Sequence, residues 1–169
     1  MSHGRIFEIR AARPFSADEA EYGTMNPDNV FLSHQDIFDY IAPDLRYEQI
    51  VPDRDAETFL MPLLCDVFTR DGLCLTLSQP RYDDYVERLV RLTKEAALQL
   101  TPQAFYDSSQ YRTLLPYLPL LPYESAYVYD EQEGDIISCR EFILKSSSYR
   151  NPDGDCRRFY IGKVWDFKW

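Results

Sequence analysis

Histidine is almost missing from this chain, with only His3 and His34 among 169 residues. The four cysteines, Cys65, Cys74, Cys139 and Cys156, show no CxxC spacing. With two histidines to join them, neither a zinc finger nor a thioredoxin motif is written here, and all four are read as reduced, idle thiols. No GxSxG elbow supports hydrolase chemistry. The longest mainly apolar stretch, residues 59–67, contains Pro62 and Asp66 and is too short to span a bilayer. No positively charged apolar leader opens the chain, so a cytoplasmic protein is expected. Basic residues are also in deficit: 18 against 28 acidic ones give a net charge of −10, which argues against general affinity for nucleic acid or anionic membrane. Neither an internal repeat nor a flexible linker interrupts the pattern.

Aromatic residues, by contrast, are abundant. Thirteen Tyr and ten Phe, within an apolar content of 45%, place the chain far from the disordered class. A chain of this length removes roughly 70% of its unfolded surface on folding and can build a core without disulfide staples. Charge is uneven: residues 1–60 hold 12 acids and 5 bases, whereas residues 136–169 hold 4 acids and 7 bases.

Alternation in Arg5-Ile6-Phe7-Glu8-Ile9-Arg10 sets Phe7 and Ile9 opposite Glu8 and Arg10, the pattern of a half-buried strand. Ser16 followed by Glu19 is a capping box that starts a short helix ending near Gly23. Asn26-Pro27-Asp28-Asn29 reads as a turn, and Ser33 as the cap of a second helix carrying Ile37, Phe38, Tyr40 and Ile41 up to Pro43. Apolar density predicts helix over residues 58–68, broken at Pro62. Asp71-Gly72 is a turn into a buried strand over 73–77.

From Pro80 the residues Tyr82, Tyr85, Leu89, Leu92, Ala96 and Leu100 recur at helical steps. The acids Asp83, Asp84 and Glu87 precede Arg88, Arg91 and Lys94, an order that suits the helix dipole. Thr101-Pro102-Gln103 starts a further helical stretch that fades into the Pro116, Pro119, Pro122 segment. These prolines match polyproline periodicity but are read as a packed crossover rather than a ligand for an aromatic groove.

Segments 125–130 and 136–144 are strand-like around an acidic hairpin loop. A second turn at 151–155 leads to a last strand, on which Phe159, Ile161, Trp165, Phe167 and Trp169 share one face with Lys163 as the exception. The expected architecture is α+β: one domain over 1–169, helix-rich over 14–115, with a proline-rich crossover at 116–123 and a β-rich part over 124–169.

Chemistry-bearing signals are weak. His34 beside Ser33 and Asp36 suits a surface or capping role better than a catalytic base. The clusters Asp53-Asp55-Glu57, Asp83-Asp84-Glu87 and Asp153-Asp155 lack the EF-hand pattern, so no metal and no cofactor are expected. The tail interleaves Arg150, Arg157, Arg158, Lys163 and Lys168 with Tyr149, Phe159, Tyr160, Trp165 and Trp169, a mix that on an exposed sheet stacks bases and neutralises phosphates. On a sheet covered on one side the same alternation is core against solvated face.

The expectation is therefore a non-enzymatic domain that contacts another protein or a second copy of itself. Arg157, Tyr160, Lys163, Trp165 and Trp169 are its candidate surface, on an exposed edge of the C-terminal sheet. A nucleic-acid module, an acidic phosphate mimic and an enzyme built on His34, a tyrosine or a carboxylate cluster are the alternatives. Buried tryptophans would exclude the nucleic-acid reading.

Overall fold

A computed structural model describes residues 3–42, 49–103, 124–149 and 157–168. It shows an α+β arrangement in which helices cover a mixed, mainly antiparallel sheet. The first element is strand β1 (His3–Ala11), followed by α1 (Ala17–Tyr22), α2 (Pro27–Ser33) and the short β2 (Tyr40–Ala42). Next come α3 (Pro52–Asp55), a π-helical segment (Ala56–Leu60) and α4 (Met61–Leu64). The hairpin strands β3 (Phe68–Asp71) and β4 (Cys74–Leu77) lead into the long α5 (Gln79–Leu98). Strands β5 (Ala126–Asp130) and β6 (Asp135–Ser138), helix α6 (Cys139–Ser146) and strand β7 (Arg158–Lys168) complete it.

The sheet order is β3-β4-β7-β1-β5-β6, with β2 paired to the end of β7. Strands β1 and β5 run parallel and the other pairings are antiparallel. One face buries Phe7, Ile9, Val128, Phe159, Ile161 and Val164 against Ala56, Leu60 and Leu64 and against Phe142 and Ile143 of α6. The other buries Ile6, Tyr127, Trp165 and Phe167 against Met25, Val30 and Phe38. Each fully buried large side chain contributes about 1.5–3 kcal/mol.

The last strand does not keep one apolar face. Phe7 pairs with Val164 and Ile9 with Ile161, so two steps along β1 match three along β7, and the extra residue is a β-bulge at Gly162 and Lys163. Before the bulge Phe159 and Ile161 point into the first core; after it Trp165 and Phe167 point into the second. Lys163, the exception in the alternation, marks the inversion. Nor is β7 an edge: it pairs with β1 on one side and with β4 and β2 on the other.

Three local readings are corrected. Asn26 is an N-cap rather than part of a free turn, its side chain accepting from Asp28 and Asn29 N–H groups, with Pro27 in the first turn of α2. Ser33 closes that helix instead of opening one, and Tyr40 to Ala42 is strand. The 136–144 strand is really β6 followed by α6, because Ser138 accepts from Glu141 N–H and turns the chain into a helix. Near Pro62 the helix is irregular as expected, but the irregularity is the π-helical turn just before it, and Phe68 already belongs to β3. The proline-rich crossover, the 151–155 turn, Arg150, Cys156 and Trp169 lie outside the described residues.

Candidate ligand pocket at the carboxyl ends of the parallel strands

Because β1 and β5 are parallel neighbours in register from Arg5 opposite Ala126 to Ile9 opposite Asp130, their carboxyl ends leave the sheet together. Sheets with parallel strands place ligand crevices outside such ends. Here β1 stops in a tight turn: Arg13 N–H donates to Ala11 O at 3.0 Å around Ala12, which has φ 75°. Left-handed backbone at alanine costs roughly 1–2 kcal/mol, held here partly by the Ala12 N–H bond to Arg158 O at 3.3 Å. Strand β5 stops when Asp130 accepts Gln132 N–H on Oδ1 at 2.9 Å and Gly134 N–H on its carbonyl at 2.8 Å.

A cavity of about 210 Å³ lies at these two ends. Ile9, Ala11 and Val128 supply aliphatic lining, Phe142, Tyr149 and Phe159 aromatic lining, and Arg10, Asp130, Glu131 and Gln132 the polar groups. The three rings have centroids 5.4–6.5 Å apart, and Phe159 stands at 81–82° to the other two. They form a corner rather than a flat wall.

The polar groups divide into a clamp and a binding pair. Arg10 grips both oxygens of Glu131 at 2.8 Å and both of Glu19 at 2.9 and 3.1 Å, and it lies over the Phe15 ring at 4.2 Å. Its bonds to Glu131 and then Glu19 push the guanidinium above its ordinary range, and the Arg10 bond holds Glu131 below the usual carboxylate range. Those charges are committed to each other.

Asp130 is only 5% exposed and accepts the Tyr149 hydroxyl on Oδ2 at 2.8 Å. Burial, then this bond, raises the Tyr149 hydroxyl above its ordinary range, so it stays protonated and keeps donating. Lys145 Nζ stands 3.9 Å from Asp130 Oδ2 but is bonded to Glu133 at 2.7 Å and paired with Glu141 at 3.2 Å. A carboxylate offers about four lone-pair sites, so Asp130 with two hydrogen bonds retains capacity for a ligand donor.

Of the residues expected to form a surface on the final strand, Arg157, Tyr160, Lys163 and Trp165 are among the described residues. Arg157 is exposed and Tyr160 half-buried opposite Arg10. Lys163 donates to Glu21 O at 2.7 Å and sits 5.8 Å from the Trp165 ring centre. Trp165 is buried, with its Nε1 on Glu8 at 2.8 Å, and Trp169 lies outside the described residues. Base stacking on Trp165 is therefore closed off.

His34 follows α2 as its C-cap, and its Nε2 meets Asp135 Oδ1 at 2.7 Å, on the side of the sheet away from the cavity. Asp53 and Glu57 both hold Arg70 at 2.6 Å, while Asp55 turns inward to accept Val51 N–H. Asp83 accepts the Gln79 amide. Among the described residues no group of three His, Cys, Asp or Glu side chains is placed to hold a metal ion. Cys65 and Cys139 are free thiols, and burial pushes Cys139 well above its ordinary range. No helix among the described residues is long and apolar enough to cross a membrane.

Asp130, Phe142 and Tyr149 carry no local motif. They reach the cavity from a strand end, a helix and the turn after it, and the parallel pairing of two strands more than a hundred residues apart brings Ile9, Arg10 and Ala11 to them. Comparison with protein-family models, with curated proteins and with solved structures returned no match.

Proposed function

We propose that the protein is a small-molecule-binding domain whose pocket at the carboxyl ends of β1 and β5 holds its ligand without transforming it. The observation that carries this reading is the cavity of about 210 Å³ whose mostly apolar lining surrounds a buried carboxylate, Asp130, that accepts the hydroxyl of the half-buried Tyr149. Largely apolar concavities with few converging polar groups are the usual form of small-ligand sites. Among the described residues the lining offers no thiol, serine or histidine as nucleophile or base, and Tyr149 is held in its protonated form. Binding fits this set better than turnover. This keeps the non-enzymatic character expected from the sequence and moves the contact surface from the final strand to the pocket.

The test is a fragment screen on isotope-labelled full-length protein, read by amide and methyl chemical shifts. Saturable shifts clustered on Ile9, Ala11, Val128 and Gln132, and lost in an Ala11→Leu variant that fills the space, support the reading. No saturable shift at these residues across the screen overturns it.

A further inference from the structure

The ligand class follows from the same lining, and this step rests on the pocket being a binding site. We infer that the pocket takes a small organic ammonium ion, a compact amine or quaternary ammonium compound. Three features converge on that class.

The first is charge. The lining holds two carboxylates, Asp130 and Glu131, against one guanidinium, Arg10, and Arg10 is tied to Glu131 and to a second carboxylate, Glu19. Among the described residues of the lining an anionic ligand finds no uncommitted cation, and the nearby Lys145 is held by Glu133 and Glu141, whereas a cation meets the Asp130 carboxylate next to a tyrosine that stays neutral.

The second is the wall. Phe142, Tyr149 and Phe159 stand around the same space with Phe159 nearly perpendicular to its two neighbours. Aromatic rings meeting in a corner beside a carboxylate are suited to an alkylated ammonium, which gains from the ring quadrupole and loses less hydration than a bare ammonium. The third is size. A cavity of about 210 Å³ has room for a trimethylammonium head with a short polar arm.

Isothermal titration of the full-length protein with choline chloride and, separately, with its neutral carbon isostere dimethylbutanol tests the inference. Choline is expected to bind at least about tenfold more tightly than the alcohol, the difference being the charge. Asp130→Asn should abolish most of that preference. Tyr149→Phe, which keeps the ring, should retain choline binding within a few-fold, whereas Tyr149→Leu should lose it. Circular dichroism establishes that each variant is folded, and the wild-type comparison decides the matter even if Asp130→Asn is not. Equal or tighter binding of the alcohol overturns the ammonium assignment while leaving the pocket as a ligand site. Failure of both compounds, with fragments still bound at Ile9 and Val128, also overturns it. Failure of both compounds and of every fragment removes the binding reading itself.

Discussion

The indole Nε1 of Trp165 donates to Glu8 Oε1 at 2.8 Å, joining two neighbouring strands beneath the loop that follows α1. Glu8 is fully buried and also accepts Thr24 N–H, Thr24 Oγ1 and Met25 N–H at 2.8, 2.8 and 3.0 Å. Four donors on one carboxylate leave it well satisfied and tie α1 and α2 to the sheet. Gly23, at φ 80°, fits the same space, since a methyl group there would meet Glu8 Oε1 at 2.6 Å and the Trp165 ring at 2.7 Å. Glu8→Ala removes the acceptor of four donors, of which Met25 N–H and Trp165 Nε1 are buried, and should destabilise the fold by about 2–5 kcal/mol, measured by urea unfolding. Trp165→Phe, which removes one donor and part of a ring, should cost less, about 1–3 kcal/mol.

Stability at acid pH should report the Arg10 clamp. Its bond to Arg10, then the Ser16 N–H, lowers Glu19 from an ordinary 4.5 to about 2. A depressed carboxylate stabilises the folded state above its unfolded value, and this contribution is lost as pH falls through the folded value. Stability should therefore decline from about pH 4.5 down to about 2. Glu131, also lowered by Arg10, acts in the same direction. Unfolding free energies measured across this range should fall less steeply in Arg10→Gln than in the parent. An unchanged slope would show that the clamp is not formed in solution.

Helix α6 depends on Ser138, whose hydroxyl accepts Glu141 N–H at 3.1 Å. Ser138→Ala should cost about 1 kcal/mol, with Ser138→Asp close to the parent, both read from denaturation midpoints. The same serine shows why part of the fold was legible and part was not. Ser16 and Glu19 announced α1 through a capping box, and both of its bonds are present. Ser138 and Glu141 repeat that spacing, but Ile136, Ile137, Phe142, Ile143 and Leu144 made a dense apolar run that also suits a strand. The long α5 was plain because its stripe persists over five turns, and β1 because Phe7 and Ile9 alternate with Glu8 and Arg10, although the strand is buried on both faces rather than half-buried, with Ile6 in the second core and Glu8 enclosed. The pocket was not legible at all: Tyr149 looked like one more aromatic of a basic tail, and Asp130 like a strand end. The two meet within the β5–β6–α6 segment, and Ile9, Arg10 and Ala11 join them only through the parallel β1–β5 pairing, which no local pattern encodes.

The bulge in β7 yields the sharpest packing test. Gly162 lies so close to Phe15 that a methyl group there would meet ring carbons at 2.7–2.8 Å, while Phe15 itself is held under Arg10 at 4.2 Å. Gly162→Ala must therefore displace the ring, and overpacking of this kind costs about 1–3 kcal/mol. The ring cannot move without disturbing the guanidinium above it, so the Arg10 bonds to Glu19 and Glu131 should weaken as well. Phe15→Ala removes the obstacle at the price of its own contacts. If the two residues oppose each other as described, the double variant should be more stable than the sum of the single losses predicts, by about 1 kcal/mol or more in a double-mutant cycle. Additive losses would mean that the bulge accepts a side chain without touching Phe15, and the inversion of the β7 faces would then need a different anchor.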